Sequence, residues 1–153
     1  MTSAPECITT ERLLLRKPVL TDAQVIYATY GLDAEVTRYL TWRPDQTIKE
    51  TVAFVQHALD CWEEESSFIW AITVRQSGQL IGMVEARVDR WQANLGYVLA
   101  REHWGHGYMS EAVNAVTGWA LAQPGMYRVW AVCDVENVAS ARVLEKAGMQ
   151  REG

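Results

Sequence analysis

Apolar positions along this chain keep one period, lose it, and take up another. Val52, Val55, Leu59 and Trp62 recur at helical spacing, which predicts an amphipathic helix to about Glu65 with its stripe in the core. Thr47-Ile48-Lys49-Glu50, just ahead, has the Thr-x-x-Glu spacing of a capping box. Thr21-Asp22-Ala23-Gln24 gives a similar signal and opens a helix to about Tyr30, with Gly31 placed to end it. Earlier still, Leu13-Leu14-Leu15 within Glu11 to Lys17 reads as a short strand stopped by Pro18. Ala34 to Leu40 reads as a further short helix, and Thr41 to Gln46, with Pro44, as a loop. Residues 1–6 read as a flexible tail.

Beyond residue 66 the pattern turns from helical to strand-like. Phe68 to Val74 predicts a strand, Ser77-Gly78 a turn, and Leu80 to Val88 the returning arm of a hairpin. A turn near Asp89 to Gln92 leads to a strand over Ala93 to Leu99. The pattern then becomes helical from Glu111 to Ala122 and is stopped by Pro124-Gly125. Arg128 to Val135, rich in Val and Trp, is one more strand. Asn137 is placed to cap a helix through Ala147, with Gly148 as the residue that ends it. Hairpins followed by a strand–helix–strand crossover imply a mixed α/β domain over residues 1–153: a mostly antiparallel central sheet with helices on both faces. Trp62, Trp70, Trp119 and Trp130 lie on element patterns and are expected in the core, whereas Trp42 and Trp91 fall in loops.

The junction at Trp104-Gly105-His106-Gly107-Tyr108-Met109-Ser110-Glu111-Ala112 carries the most chemistry. Two glycines spaced by one residue let the backbone turn tightly and approach a ligand closely. The helix start behind them offers unpaired N–H groups and the positive end of a dipole, a combination that suits phosphate. A tight turn with no ligand would read the same way in isolation.

Composition narrows the class. With 49% apolar and 22% charged residues, the chain has enough apolar material for a real core. Its 14 basic and 19 acidic residues give a net charge of −5, which argues against nucleic acid or an anionic membrane as the main partner. Cys7, Cys61 and Cys133 show neither metal-ligand spacing nor a disulfide framework, so no metal site is expected and free thiols in a reducing cytoplasm fit. The first residues carry no signal-peptide pattern, and no apolar run reaches membrane-spanning length.

Three stretches, in order, carry a resemblance: Thr10-Glu11-Arg12-Leu13-Leu14-Leu15-Arg16; Leu95-Gly96-Tyr97-Val98-Leu99 running into Trp104 to Tyr108 and Glu111-Ala112; and Asn137 through Met149. Together they resemble the GCN5-related N-acetyltransferases, and within them the RimJ/RimL branch of ribosomal-protein N-terminal acetyltransferases. The resemblance implies acetyl-CoA as donor. The backbone from about His103 through Trp104, Gly105, His106, Gly107 and Tyr108 would then hold the pyrophosphate. The acyl group would lie against Tyr97, Val98 and Leu99, with the N–H of Tyr97 or Val98 polarising its carbonyl. A splay between this strand and Arg128 to Val135 would admit the pantetheine arm, and Asn137 and Ser140 would meet the thiol end. Many family members carry a tyrosine acid where this chain has Leu144; in the RimJ/RimL branch a serine is the usual candidate donor to the leaving thiolate, and the resemblance places Ser140 there, the other reading being that Ser140 bonds local backbone at the helix start.

Two other positions depart from the family pattern. Glu102 stands where Arg or Gln is common, which leaves the phosphate contacts mostly to backbone. Asn94 stands at or near a common glutamate base, where it can hold a water. Glu85 in the neighbouring strand is a candidate base, alongside a solvent-facing reading. Glu111 fits a structural role at the helix start, and His103 and His106 border the turn. Tyr39, Trp42 and Arg43 resemble the branch's acceptor-side loop. The implied reaction is direct attack by a primary amine, either a protein N-terminus or a small molecule. A CoA-binding module without catalysis and a purely structural domain stay open as rivals. The family pattern continues past Gly148 with a strand that completes the sheet. This chain stops as that strand should begin, so either the sequence is a shortened form or the open edge is covered by another chain, as in a homodimer.

Overall fold

The computed structural model describes residues 4–31, 33–37, 47–133 and 136–152. Its centre is the strand Ser67–Val74 (β3), where Phe68, Trp70 and Ile72 point to one face and Ile69 and Ala71 to the other. Both faces are covered, which explains a run that is apolar rather than alternating. Strand order follows sequence order: Cys7–Thr9 (β1), Leu13–Arg16 (β2), β3, Leu80–Asp89 (β4), Gln92–Leu99 (β5) and Arg128–Ala131 (β6). Every neighbouring pair is antiparallel except β5 with β6, which is parallel and joined through a helix. The mixed, mostly antiparallel sheet expected from the sequence is therefore present.

Helix Asp22–Ile26 (α1), continued by a π-turn over Tyr27–Gly31, and helix Ile48–Glu64 (α3) bury Ala23, Ile26, Val55 and Ala58 against Ile69, Ala71 and Met83. Between them lies the short helix Ala34–Thr37 (α2). Helix Tyr108–Leu121 (α4) covers the opposite face, setting Met109, Val113 and Val116 against Trp70, Val84, Ala86 and Leu95. Helix Val138–Lys146 (α5) adds Leu144 to the same core. Trp62, in the last turn of α3, meets Phe68 and Trp70 edge-on at 5.2 and 5.6 Å, and Trp119 meets Trp70 at 5.5 Å. The indole N–H of Trp62 donates to the Ile69 carbonyl and that of Trp70 to the Pro5 carbonyl, both at 2.9 Å, so neither buried donor is orphaned. Trp91 lies instead on the surface, stacked on Tyr127 with centroids 5.0 Å apart.

Three local expectations change. Thr21 is helical (φ −65°, ψ −16°) and makes no side-chain cap bond; the Asp22 and Ala23 N–H groups bond the Val19 and Leu20 carbonyls instead, while the Asp22 carboxylate accepts the Val19 N–H and both arms of Arg16 at 2.8 Å each. Thr47 is extended ahead of α3 but makes no side-chain cap bond. The strand β1 was not legible in the pattern; it pairs with β2, and the Glu6 carbonyl extends the ladder by accepting the Lys17 N–H at 2.7 Å. Among the described residues no helix is long and apolar enough to cross a membrane.

Candidate active site

Parallel pairing of β5 with β6 runs from Gln92↔Arg128 to Leu95↔Ala131 and stops there. From Gly96 onward β5 has no described partner on that side, so the strands part where the family resemblance implies a splay. On its other side β5 stays in register with β4 to Gly82↔Leu99, and Ala100 N–H donates to the Ile81 carbonyl at 2.8 Å. Ladder alternation then turns the Val98 amide toward β4 and the Tyr97 amide toward the open side. Of the two amides considered for polarising a carbonyl, Tyr97 has the free direction.

The glycine turn follows directly. A short 3₁₀ segment, Arg101–His103, leads to Trp104, whose indole N–H donates to the Leu99 carbonyl at 2.9 Å and ties the turn to the end of β5. Gly105 and Gly107 have φ of +79° and +78°, a region costly for residues with a Cβ. Among the described residues nothing lies within 4 Å of where a Cβ on Gly105 would sit, so the backbone faces open space at the N-terminus of α4. His103 Nε2 is buried without a hydrogen-bond partner among the described residues and lies 3.9 Å from a Glu102 carboxylate oxygen.

Arg12 holds this turn from across the sheet. Its Nη1 donates to the His106 carbonyl at 2.9 Å, its Nε to Glu111 Oε1 at 2.8 Å, and its guanidinium lies 4.5 Å from the Tyr108 ring centroid. Glu111 also accepts the Arg12 backbone N–H and the Thr10 hydroxyl. Burial raises the Glu111 carboxyl, but these hydrogen bonds and the arginine charge bring it net below the ordinary value. Glu111 is thus occupied as a structural anchor.

At the other wall, Asn137 Oδ1 accepts the Ser140 N–H at 3.1 Å, the expected N-cap of α5. The Ser140 hydroxyl is hydrogen-bonded to the Tyr97 hydroxyl, which also lies 3.3 Å from the Ser140 carbonyl. Burial pushes the Tyr97 phenol above its ordinary value, offset in part by the Ser140 hydrogen bond. Leu144 is buried in the core at 8% exposure and presents no polar group.

The face of β4 and β5 under α1 and α3 carries a different set. Glu85 accepts the Ser67 hydroxyl at 2.7 Å and pairs with Arg87 at 2.8 Å. Arg87 stands opposite Asn94 and Glu85 opposite Gly96, so both base candidates share this face. One cleft of about 1160 Å³ joins the two sides through the splay; Glu85, Asn94, Tyr97, Val98, Leu99, His103, Trp104, Gly105, Gly107, Tyr108, Asn137 and Ser140 all line it. His106 does not: its ring lies beside Tyr108 and its carbonyl is taken by Arg12. Tyr39, Trp42 and Arg43 lie outside the described residues.

Sequence reading missed three contributors. Arg12 lies in a quoted motif, but its partner is 99 residues away. Ser67 gave no signal. Gly82, a glycine inside a strand pattern, did give one: a Cβ there would sit 2.2 Å from the Val98 carbonyl oxygen, so only glycine lets β4 and β5 close at this point.

An unpaired strand end, a glycine turn open at a helix N-terminus and a hydroxyl pair form one channel suited to a long phosphorylated acyl carrier. The acetyltransferase (GNAT) domain family matches residues 12–150 of this chain. The uncharacterised N-acetyltransferase YoaA of Bacillus subtilis (strain 168) is 34% identical over 148 residues, covering 94% of this chain and 82% of YoaA. A GNAT-family acetyltransferase from Bacillus anthracis superposes with a TM-score of 0.86 at 28% identity, covering 96% of this chain and 85% of that one. RimL, a ribosomal L7/L12 alpha-N-protein acetyltransferase solved in complex with coenzyme A, shares the fold with a TM-score of 0.87 at 21% identity, over 97% of this chain and 86% of its own.

Proposed function

The chain belongs to the GNAT acetyltransferase family and is an N-acetyltransferase, and from that premise we propose that it moves the acetyl group of acetyl-CoA to a primary amine by direct attack, the acceptor being a protein N-terminus. The observation that carries the reading is the single channel in which the glycine turn, the unpaired Tyr97 amide and Ser140 meet. The residues present fit the donor: among the described residues, open space over Gly105 at the start of α4 suits a pyrophosphate. The donor supplies an activated thioester; the rest is work for the chain's own groups.

In this reading the Tyr97 N–H stabilises charge on the acyl oxygen and Ser140 hydrogen-bonds the departing sulfur. Glu85 and Asn94 face the acceptor side. Glu85, tied to Ser67 and Arg87, positions the incoming ammonium, while Asn94 holds the water that takes its proton. Cys61 is buried, and desolvation raises its thiol, so it supports no acyl-enzyme route. The free thiols Cys7, Cys61 and Cys133 fit a reducing, cytoplasmic setting. The resemblance to the RimJ/RimL branch in Thr10 to Arg16 and Asn137 to Met149 is what favours a protein N-terminus over a small amine.

The test offers acetyl-CoA with a panel of N-terminal peptides and small aliphatic and aromatic amines, following release of the CoA thiol. Peptide acetylation at the α-amine is expected, and Ser140→Ala should lower kcat by about 10²-fold. A thermal shift with acetyl-CoA but no thiol release with any amine would instead make the protein a CoA-binding module. Acetylation of small amines alone would refute the protein acceptor.

A further inference from the structure

Resting on the assignment of Ser140 above, we propose that Tyr97 is a positioning residue for the transfer: its hydroxyl donates to Ser140 Oγ and so aims the Ser140 proton at the departing sulfur. A side-chain donor is absent where the family often keeps one, because Leu144 is part of the core. A phenol does reach the Ser140 hydroxyl, from another element. Tyr97 stands on β5, on the side where pairing with β6 has ended, and its hydroxyl crosses to the first turn of α5. Forty-three residues separate the partners, so this is a tertiary contact rather than a local turn.

Hydrogen-bond bookkeeping makes the pairing directional. The Ser140 amide is already spent on Asn137 Oδ1. The serine hydroxyl has one proton and two acceptor positions. If Ser140 donates to the phenol, the tyrosine proton is left with the Ser140 carbonyl at 3.3 Å, a long bond. If Tyr97 donates to Ser140, the serine proton is free for the cleft. Rotating two hydroxyls interconverts these states. Charge developing on sulfur favours the second, because only then does an acceptor wait for the serine proton, and the two bonds in line strengthen each other. Burial keeps the phenol protonated well past neutrality. Among the described residues, Cys133 is the titratable group whose charge reaches it.

The step balances without net proton transfer through the pair. The amine lone pair forms the C–N bond, the C–S bond breaks, and its electrons stay on sulfur. The amine proton goes to water. Ser140 holds the thiolate by hydrogen bond until it takes a proton from solvent, and Tyr97 and Ser140 keep their own.

Two sets of variants test this, assayed with acetyl-CoA and the best acceptor of the amine panel. Tyr97→Phe should lose about tenfold in kcat, with KM for acetyl-CoA and Tm nearly unchanged, because the backbone amide remains. In a Ser140→Ala background the same change should cost nothing further. Fluorotyrosines at 97 preserve the shape but make the phenol more acidic. An ionised phenol cannot donate, so the alkaline limb of kcat should move to lower pH as fluorine is added. Wild-type kcat in Tyr97→Phe, an undiminished loss in the Ser140→Ala background, or an alkaline limb that stays put would each overturn the proposal while leaving the transferase reading intact. Thiol release by no amine at all would overturn both.

Discussion

Replacing Gly82 with alanine puts one methyl group where the backbone of the next strand already is. The added Cβ would lie 2.2 Å from the Val98 carbonyl oxygen, 3.1 Å from Leu99 Cα and 3.2 Å from the Val98 carbonyl carbon. Ordinary contact between carbon and a carbonyl oxygen needs about 3.3 Å, so β5 must retreat by roughly an ångström. No flexible side chain can absorb that, since all three atoms are main chain. The retreat strains the Met83↔Val98 pairing and the Ala100-to-Ile81 bond, and it displaces the Tyr97 amide next door. Overpacking of this kind costs about 1–3 kcal/mol, and each weakened ladder bond adds about 0.5–1.5 kcal/mol. A total of about 2–4 kcal/mol lowers Tm by roughly 5–15 °C in a domain of this size. An ångström of misplacement at the reacting centre lowers kcat by about 10²-fold. Thermal denaturation and steady-state acetyl transfer measure the two effects. Gly118→Ala is the control: it lies on exposed helix with nothing among the described residues within 4 Å of the new Cβ and should stabilise by about 0.5–1 kcal/mol. If Gly82→Ala keeps wild-type Tm and kcat, the account of how β4 shapes the end of β5 is wrong.

Two further predictions concern charge. Arg12→Ala removes the contacts to the His106 carbonyl and Glu111 that hold the glycine turn; with the arginine half-exposed, a loss of about 1 kcal/mol raises KM for acetyl-CoA roughly fivefold, with kcat nearly constant in initial-rate kinetics. Asp22→Asn breaks the Arg16 pair and should destabilise by about 1–2 kcal/mol at neutral pH, read by urea denaturation. Burial raises the Asp22 carboxyl, but Arg16 and the Val19 amide bring it net below its ordinary 3.8. A carboxyl lowered by folding stabilises fully above its unfolded value and loses that contribution as pH falls through its folded value. The gap between wild type and variant should therefore hold at pH 6 and close progressively below about pH 4; a gap that widens on acidification would refute the pairing.

What could be read from the sequence was local or periodic. The helix Ile48–Glu64, the hairpin around Ser77-Gly78 and the Asn137 cap each need only near neighbours, and all are present, but the expected core stripe is half right: Val55 and Trp62 are buried, Leu59 is half-buried and Val52 is exposed, Thr51 and Ala58 facing the core instead. Thr21 misled because the first amides of the helix, those of Asp22 and Ala23, already bond the Val19 and Leu20 carbonyls and leave its hydroxyl no cap to make. The strand Cys7–Thr9 is three residues long and mostly exposed, too short for any period to register. The glycine turn was legible, but its support was not. Arg12 reaches Glu111 across 99 residues and Tyr97 reaches Ser140 across 43, and spacing carries no signal for either. The channel itself depends on pairing that stops at Leu95↔Ala131, which no pattern of apolar residues specifies.

The most direct test of the account is the initial-rate pattern of acetyl transfer when acetyl-CoA and the amine are varied together. A channel that holds donor and acceptor at once on either side of the splay predicts double-reciprocal lines that intersect, with no CoA burst in the absence of amine. Parallel lines with a stoichiometric burst of CoA would mean an acyl-enzyme and would contradict direct attack at the end of β5.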